Sequence, residues 1–567
     1  MISVSNKKWS ERILDDKKVE KFSQDYNFSE ILSKLTISRK FNDEELHSIN
    51  NPESIIFQNI FKSNEDFING VNLVFDIINK KEKICILGDY DVDGSCATAL
   101  IIKFFKSIKQ PYFYLIPDRE KDGYGINVDL VKKIIKKKPK LIILVDNGSN
   151  AFKEINLLRK NEIISVVIDH HQISEPFPNS NVIINPNKNN NYNKSDYMCA
   201  TLLTYFFLDL LNKKINKNFN LNDYLIYPLL ATICDVMPLR NVNRFLSIFT
   251  LKRFDIQKVK SIKIIFDLLK NNKKIDIQDL GFVIGPILNA GGRLDKSYLA
   301  TKLLSSSKIH EIEEIAKKLI NLNNKRKVLE ERVLNKINYT KIKKENKNII
   351  IYYNSSIKEG LIGIIAARLK DLYNKPTIVL TNSNNILKAS ARSTFDFDIG
   401  LFIKDAFNNN LILKGGGHKM AAGFSIEKKK LKYFEDFANN YYKEKFCKIN
   451  IKDFYYDSKI SGSAINKFLF SDIKKLQPFG PGNPNPLFLI ENLKIKKVKI
   501  LKNKHISNIF VTKKGFFIKA ISFNSVRESI GKYLLNYKKE INVVGYLSEN
   551  FWNNKKTLQL VVRDLII

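Results

Sequence analysis

Four apolar runs, each ending in acidic or histidine residues, constrain the fold more than any other feature of this chain. The run from Lys83 to Gly88 opens onto Asp89-Tyr90-Asp91-Val92-Asp93-Gly94. Leu141 to Val145 ends at Asp146-Asn147-Gly148, and Ile164 to Ile168 ends at Asp169-His170-His171. Leu229 to Cys234 ends at Asp235-Val236-Met237-Pro238. Such β-runs alternate with helical stretches over about 80–240, which predicts an α/β region on a parallel sheet. In open parallel sheets the reactive groups gather at the carboxyl ends of the strands. Carboxylates and imidazoles gathered there suit hard and borderline divalent cations. The pattern points to a two-metal hydrolase of phosphate esters.

Asp89, Asp91 and Asp93 alternate, and in an extended stretch alternate residues face one side. Three carboxylates on one side repel one another unless cations neutralise them. A solvated acidic turn is the plainer reading. The strand before them, and the matching Asp146 and Asp169-His170-His171, argue against it. The chain has six histidines, and two stand side by side after a strand that ends in Asp. Neutral imidazole ligates a divalent metal and a neighbouring carboxylate orients a ring. The second histidine is free to touch the scissile phosphate instead.

Three further stretches suit phosphate. Gly285 to Arg293 places an Arg in a glycine-rich setting, and Ser390-Ala391-Arg392-Ser393 resembles a second clamp. Gly415-Gly416-Gly417-His418-Lys419 offers backbone N–H groups to an anion, with a flexible turn as the alternative.

Lys and Arg number 94 against 58 Asp and Glu, a formal charge of +36. Such an excess favours a polyanionic partner. Enrichment in Lys, Asn and Ile also follows from AT-rich coding, which accounts for about half of the excess. The five cysteines form no C-x-x-C pair, so neither a zinc site nor a disulfide framework is indicated. The N-terminus has no apolar h-region, and the longest apolar stretch, Leu202 to Leu211, is far short of the ~20 residues of a membrane span. A soluble, cytoplasmic protein without membrane contact is expected.

A length of 567 residues implies several domains. The expected divisions are an N-terminal helical segment (1–70), a catalytic α/β domain (71–240), a helical region with a connecting helix (241–340), a second α/β domain (345–447) and a C-terminal β-barrel (452–567). Apolar residues from Ile312 to Ile337 fit one helix face, with Lys341 to Lys347 as a charged break after it. Asn185 to Ser195 reads as a polar surface loop. Short strands over Phe516–Phe523, Ile541–Tyr546 and Thr557–Val562 suggest an oligonucleotide-binding barrel.

Together these residues resemble the DHH phosphoesterase superfamily, and within it the RecJ family of single-stranded-DNA exonucleases, over nearly the whole chain. The superfamily motifs are Gly88 to Gly94, Val145 to Gly148, Asp169-His170-His171 and Ala231 to Leu239. Gly415 to His418 with Ala421-Ala422-Gly423 marks the DHH-associated lobe. Pro117-Asp118-Arg119-Glu120 leading to Gly123-Tyr124-Gly125, and Gln477 to Pro484, point to the RecJ family itself. The resemblance implies a DHH parallel-sheet domain joined by a long helix to a DHH-associated α/β domain, with a C-terminal OB-like barrel. It implies two Mn²⁺ or Mg²⁺ ions: Asp91 and Asp146 would hold one, and Asp93, Asp146, His170 and Asp235 the other. Asp89 would support the cluster, His171 would contact the reacting phosphate, and Asp169 counts with them as catalytic. Arg119, Tyr124, Asn289, Arg293, Ser390, Arg392 and His418 would grip the DNA backbone and strand end. Degradation of single strands 5′-to-3′ to mononucleotides is implied, in recombinational and mismatch repair, with RecQ helicase and single-strand binding protein as partners. Leu87, Ile287 and Lys358 depart from the family pattern of histidine, arginine and histidine.

Single-strand selectivity is expected from a cleft between the two α/β lobes too narrow for a duplex. In the barrel, bases would stack on aromatics beside basic residues. Phe516, Phe517, Lys519 and Arg563 are the candidates, with at least one phenylalanine expected in the core. Two other readings are a small-substrate DHH phosphodiesterase acting on oligonucleotides or cyclic dinucleotides, and a non-catalytic single-strand-binding factor. The barrel argues against the first and the retained ligands against the second.

Overall fold

The computed structural model describes all residues except 189–191, 193–196, 272, 384–385, 395, 447–452, 538 and 553–554. Much of the polar loop expected at Asn185 to Ser195, and Cys447, lie outside the described residues. The chain packs as two compact units. One comprises 58–237 and 250–448; the other joins 1–57, 238–249 and 449–567.

The larger unit begins with a five-stranded parallel sheet. Its order is Tyr112–Leu115, Ile84–Leu87, Leu141–Val145, Ile164–Ile168, Val182–Ile184. In chain order this is 2-1-3-4-5, so the winding reverses between the first and third strands, where α/β sheets place their ligands. Ile84–Leu87 and Leu141–Val145 are buried at every position, as strands covered on both faces must be. The fourth apolar run is no strand: Ile226–Cys234 is a helix, and its C-terminus carries Asp235. An apolar run of that length does not by itself separate strand from buried helix.

The helix Ile309–Lys336 has 28 residues, about 42 Å at the α-helical rise. Its first half buries Ile312, Ile315 and Leu319, and Glu330 further along accepts from Arg368 of the second lobe at 2.8 Å. The expected charged break after it is mostly another helix, Tyr339–Glu345. The second lobe is a five-stranded sheet in the order Lys414–His418, Ala421–Ile426, Ile386–Arg392, Thr377–Ser383, Ile350–Tyr353. The glycine run is thus an edge strand laddered to Ala421–Ile426, not a free turn.

In the smaller unit, Phe488–Leu501, His505–Val511, Phe517–Ser522, Lys555–Ile566 and Ile541–Trp552 pair in series, and the last pairs back to the first. This is a closed five-stranded barrel of OB type. Its outer strands are longer than the sequence suggested, 12 residues each. Helices Glu30–Ser38 and Asp43–Asn50 place Leu32, Leu35, Leu46 and Ile49 in one core with Phe488, Phe510 and Val543 of the barrel. Arg244 is fully buried and donates to the carbonyls of Leu476 and Gln477 at 2.7 and 2.9 Å. Phe516 and Phe517 are both exposed, against the expectation that one would be core, and so are Lys519 and Arg563. No described helix is long and apolar enough to cross a membrane.

Candidate active site

The acidic motif after the first strand is not extended. Asp91 is the N-cap of the helix Val92–Ser107, its carboxylate accepting from the Gly94 N–H at 3.1 Å. An Asp three residues before a free amide competes well for that role. Gly94 is required there, since a Cβ would lie 2.5 Å from the Asp89 nitrogen. The tight turn aims Asp89 and Asp91 at the sheet's switch point, and the first helical turn carries Asp93.

Asp146 follows the third strand with φ of 61°, a left-handed conformation that Asp tolerates better than most residues. Asp235 is followed by Val236 at φ 59°, where a β-branched residue is strained. His170 lies at the centre of the cluster. Its Nε2 is 3.3 Å from Asp146 Oδ1, 3.4 Å from Asp235 Oδ2 and 3.6 Å from Asp93 Oδ2.

Potential ligand atoms fall into three overlapping groups: Asp146, His170 and His171; Asp93, His170 and Asp235; Asp89, Asp91 and Asp146. Asp146 joins two of them, and Asp89 stands with Asp91 rather than behind it. Asp89 Oδ1, Asp146 Oδ1 and Asp235 Oδ2 are buried without a hydrogen-bond partner among the described residues. Buried polar atoms are ordinarily satisfied, and carboxylates crowded together are tolerated where cations sit between them. The donor set of hard oxygens with one or two imidazoles fits Mn²⁺ or Mg²⁺.

Electrostatics agree. Burial, then Asp91, pushes Asp89 well above the usual carboxylate range. Burial and the charges of Asp93, Asp91, Asp89 and Asp235 do the same to Asp146. Burial is also the largest cause of the rise in Asp235. Asp93 is pushed up to about 6 by burial, partly offset by the Thr201 hydroxyl, which donates to it at 2.6 Å. His170 is lowered to about 3 by burial and by His171, so its ring is neutral and has a lone pair for a cation.

Asp169 and His171 form a separate pair. His171 Nδ1 lies 2.7 Å from Asp169 Oδ1, which also accepts from the backbone N–H of His170 at 2.8 Å. Burial opposes charge on His171, but Asp169 overrides it and raises the ring to about 9. Asp169 is held low by His171 despite its own burial. Asp169 therefore orients a cationic imidazole. Tyr124 donates to the Asp146 carbonyl at 2.9 Å, and its hydroxyl is 3.0 Å from His171 Nδ1.

The second lobe meets this group through His418, whose ring stacks on His171 with centroids 6.1 Å apart. Arg293 donates to the Gly360 carbonyl at 3.1 Å, and a Cβ on Gly360 would lie 2.3 Å from the Arg293 oxygen, so the two helices close to backbone contact. Arg293 is lowered to about 9 by burial and by the charges of Arg119, Arg326 and Arg392. Arg326 is paired with Glu330 at 3.0 Å, whereas Arg119, Arg293 and Arg392 have no carboxylate partner among the described residues, an arrangement suited to an anion. Arg392 donates to Ser390 Oγ at 3.2 Å, and Arg119 lies over the Tyr90 ring at 5.1 Å. Asn289 sits one turn before Arg293 on the helix Gly285–Leu294, half-buried, with no side-chain hydrogen bond among the described residues. Ile287 on that helix is core, Leu87 is wholly buried in its strand, and Lys358 is exposed at a helix N-cap.

Sequence reasoning missed several supports. Asp93 accepts from the Ala200 and Thr201 amides at 2.7 Å each, so it caps the helix Ala200–Ile215. Asn185 is not a surface residue but wholly buried, donating to the His171 carbonyl at 2.9 Å. Asn187 donates to the His170 carbonyl at 2.7 Å. The only signal was the cluster of asparagines around Pro186. Arg326, on the connecting helix, had none.

Fold and site define a class: phosphoesterases of the DHH type with an associated second lobe. Residues 83–232 match the DHH family N-terminal domain, 346–444 the DHHA1 domain and 456–564 the RecJ OB domain. The single-stranded-DNA-specific exonuclease RecJ of Haemophilus influenzae is 30% identical over 523 residues, covering 87% of this chain and 89% of that one. The chain belongs to the RecJ family of the DHH superfamily. Its fold is similar to that of Thermus thermophilus RecJ in complex with Mn²⁺ (TM-score 0.83, 20% identity, 99% of this chain and 79% of that one). The Mg²⁺ complex of that protein gives a TM-score of 0.75 at 19% identity, over 98% of this chain and 78% of that one.

Proposed function

We propose that this chain is a single-stranded-DNA exonuclease that hydrolyses phosphodiester bonds 5′-to-3′, releasing mononucleotides, with two Mn²⁺ or Mg²⁺ ions. One observation carries the reading: three carboxylate oxygens lie 3.3–3.6 Å from the Nε2 of a neutral histidine, beside an arginine pocket. Asp91 and Asp146, with Asp89 within reach, would hold one cation; Asp93, Asp146, His170 and Asp235 the other. Such cations supply charge neutralisation at the phosphate and lower the pKa of the attacking water. His171, kept cationic by Asp169, offers an N–H to a phosphate oxygen. Tyr124 fixes that ring, and His418 closes over it from the second lobe. Arg119, Arg293, Ser390 and Arg392 hold the strand end, with Asn289 on the same helix as Arg293. Phe516, Phe517, Lys519 and Arg563 give the barrel exposed rings and charges of the kind that hold single strands. The setting that follows is cytoplasmic recombinational and mismatch repair, beside a RecQ helicase and single-strand binding protein.

The test is hydrolysis of a long single-stranded DNA labelled at either end, with Mn²⁺ or Mg²⁺, beside duplex DNA and a dinucleotide. Stepwise mononucleotide release from the 5′ end of the single strand alone is expected. Preference for the dinucleotide would reassign the chain to small-substrate phosphodiesterases, and DNA binding without turnover to a binding factor.

A further inference from the structure

A second feature of the parallel sheet lies at its other end. Three of the four acidic motifs, at Asp89–Asp93, Asp146 and Asp169–His171, follow the carboxyl ends of strands. Lys83 precedes the first strand, Tyr112 opens the second, and Lys136, Lys137 and Lys138 precede the third. With Phe113 these residues line a pocket of about 510 Å³, within the size range of small-molecule sites. Parallel register brings them together, Ile84 pairing with both Tyr112 and Leu141. The strand Ile84–Leu87 and Gly88 lie between Lys83 and Asp89, a separation of roughly 20 Å at the rise of a strand.

Its chemistry is uniform. No carboxylate pairs with Lys83, Lys136, Lys137 or Lys138 among the described residues. Lys83 Nζ donates to the Lys137 carbonyl at 3.2 Å, and Lys137 Nζ lies 4.7 Å from the centre of the Phe113 ring. Lysines ending a helix are ordinary on dipole grounds, and Lys136 to Lys138 end the helix Val128–Lys136. Lys83 comes from another element and meets this same helix end at the Lys137 carbonyl; the two rings also come from another element, and dipole complementarity does not explain them. Cations around half-buried aromatic rings suit a phosphate ester joined to a flat base.

We propose that this pocket binds a nucleoside monophosphate unit, its phosphate among Lys83, Lys136 and Lys138 and its base against Tyr112 or Phe113. The unit belongs either to a DNA strand running past the enzyme or to a free mononucleotide. The first source rests on the single-strand reading above; the second does not.

The experiment uses the full chain with divalent cations chelated, and two photoreactive probes: 5-iodo-dUMP, and a 30-nucleotide strand carrying 5-iodo-dU. Crosslinks are mapped by mass spectrometry in the unchanged protein and in Lys83→Glu/Lys136→Glu/Lys138→Glu. A crosslink at Tyr112 or Phe113, reduced at least fivefold by the triple substitution, is expected. From the strand alone it assigns a DNA track; from 5-iodo-dUMP it assigns a nucleotide site. No crosslink there from either probe, or one that survives the triple substitution, overturns the proposal. Phe113→Leu guards against a diffuse charge effect: it should weaken binding of the crosslinked probe at least twofold, and no change overturns the pocket. Hydrolysis of a hexanucleotide with Mn²⁺ should stay within twofold in all variants; a parallel loss would mean that the pocket is not separate from the catalytic site. Failure of hydrolysis in the unchanged protein would instead contradict the exonuclease reading.

Discussion

Buried carboxylates occur in both compact units, and the two sets are treated in opposite ways. In the smaller unit Glu45 is fully buried and accepts from Arg240 Nε at 2.7 Å and from the Asn241 amide at 2.9 Å. Asp564, equally buried, accepts from Ser3 Oγ at 2.7 Å and Trp9 Nε1 at 2.9 Å. Each has the donors that make a buried charge tolerable. In the larger unit Asp89, Asp146 and Asp235 each keep a buried oxygen without a donor and crowd against one another. One set holds the fold together. The other is kept frustrated by its neighbours, a familiar cost of a site poised to act on a ligand.

Asp146 is where the two sets diverge most. Asp146→Asn should reduce turnover on single-stranded DNA by about 10³-fold or more, because the two groups of ligands lose their shared member. It should also raise the metal-free unfolding temperature, since it removes repulsion. Steady-state rates and calorimetry check the two halves.

The opposite sign is expected at the satisfied pair. Arg240→Met leaves the Glu45 carboxylate buried without its counter-charge, held by the Asn241 and Asn42 amides alone, and should cost about 3 kcal/mol in denaturant unfolding. Burial alone would raise Glu45, but Arg240 and the Asn241 and Asn42 amides hold it below 4.5. A depressed carboxylate contributes stability that is fully present above its unfolded value and is lost as pH falls through its folded one. Unfolding of the native chain should therefore weaken as acid is added below about pH 4.5, and Arg240→Met should lose that component.

Asn508 runs against the pattern of the smaller unit. It is buried in the barrel, and among the described residues neither side-chain amide atom has a partner. Asn508→Leu should stabilise by about 1 kcal/mol or more in the same measurement. The smallest effect is expected at Val236, whose left-handed backbone follows Asp235. Val236→Gly should relieve strain by about 1 kcal/mol while lowering turnover severalfold, as Asp235 loses its fixed aim.

What could be read from the sequence was what chain neighbours determine. Asp146 and Asp169-His170-His171 each follow a buried strand at once, so the strand and the acidic or histidine residues after it were visible together. Asp89, Asp91 and Asp93 were picked out as a carboxylate cluster but with the wrong geometry, because the capping of a helix by Asp91 competes with an extended reading of the same residues. The run before Asp235 is apolar on all sides as a buried helix, and periodicity could not separate it from a strand. Supports from distant chain were not legible. Thr201 reaches Asp93 across 108 residues, and Asn185 looked like the start of a polar loop. The packing of Leu32 and Leu46 on the barrel spans most of the chain, and no local pattern announces it.

The first measurement to make is thermal unfolding of the native chain and of Asp146→Asn, each with and without Mn²⁺. Binding to the folded state alone stabilises by mass action. Without the ion the variant should unfold at the higher temperature; with it, the native chain should gain and the variant should not. Equal responses to Mn²⁺, with no metal-free gain in the variant, would contradict the view that these carboxylates are kept unsatisfied for a cation.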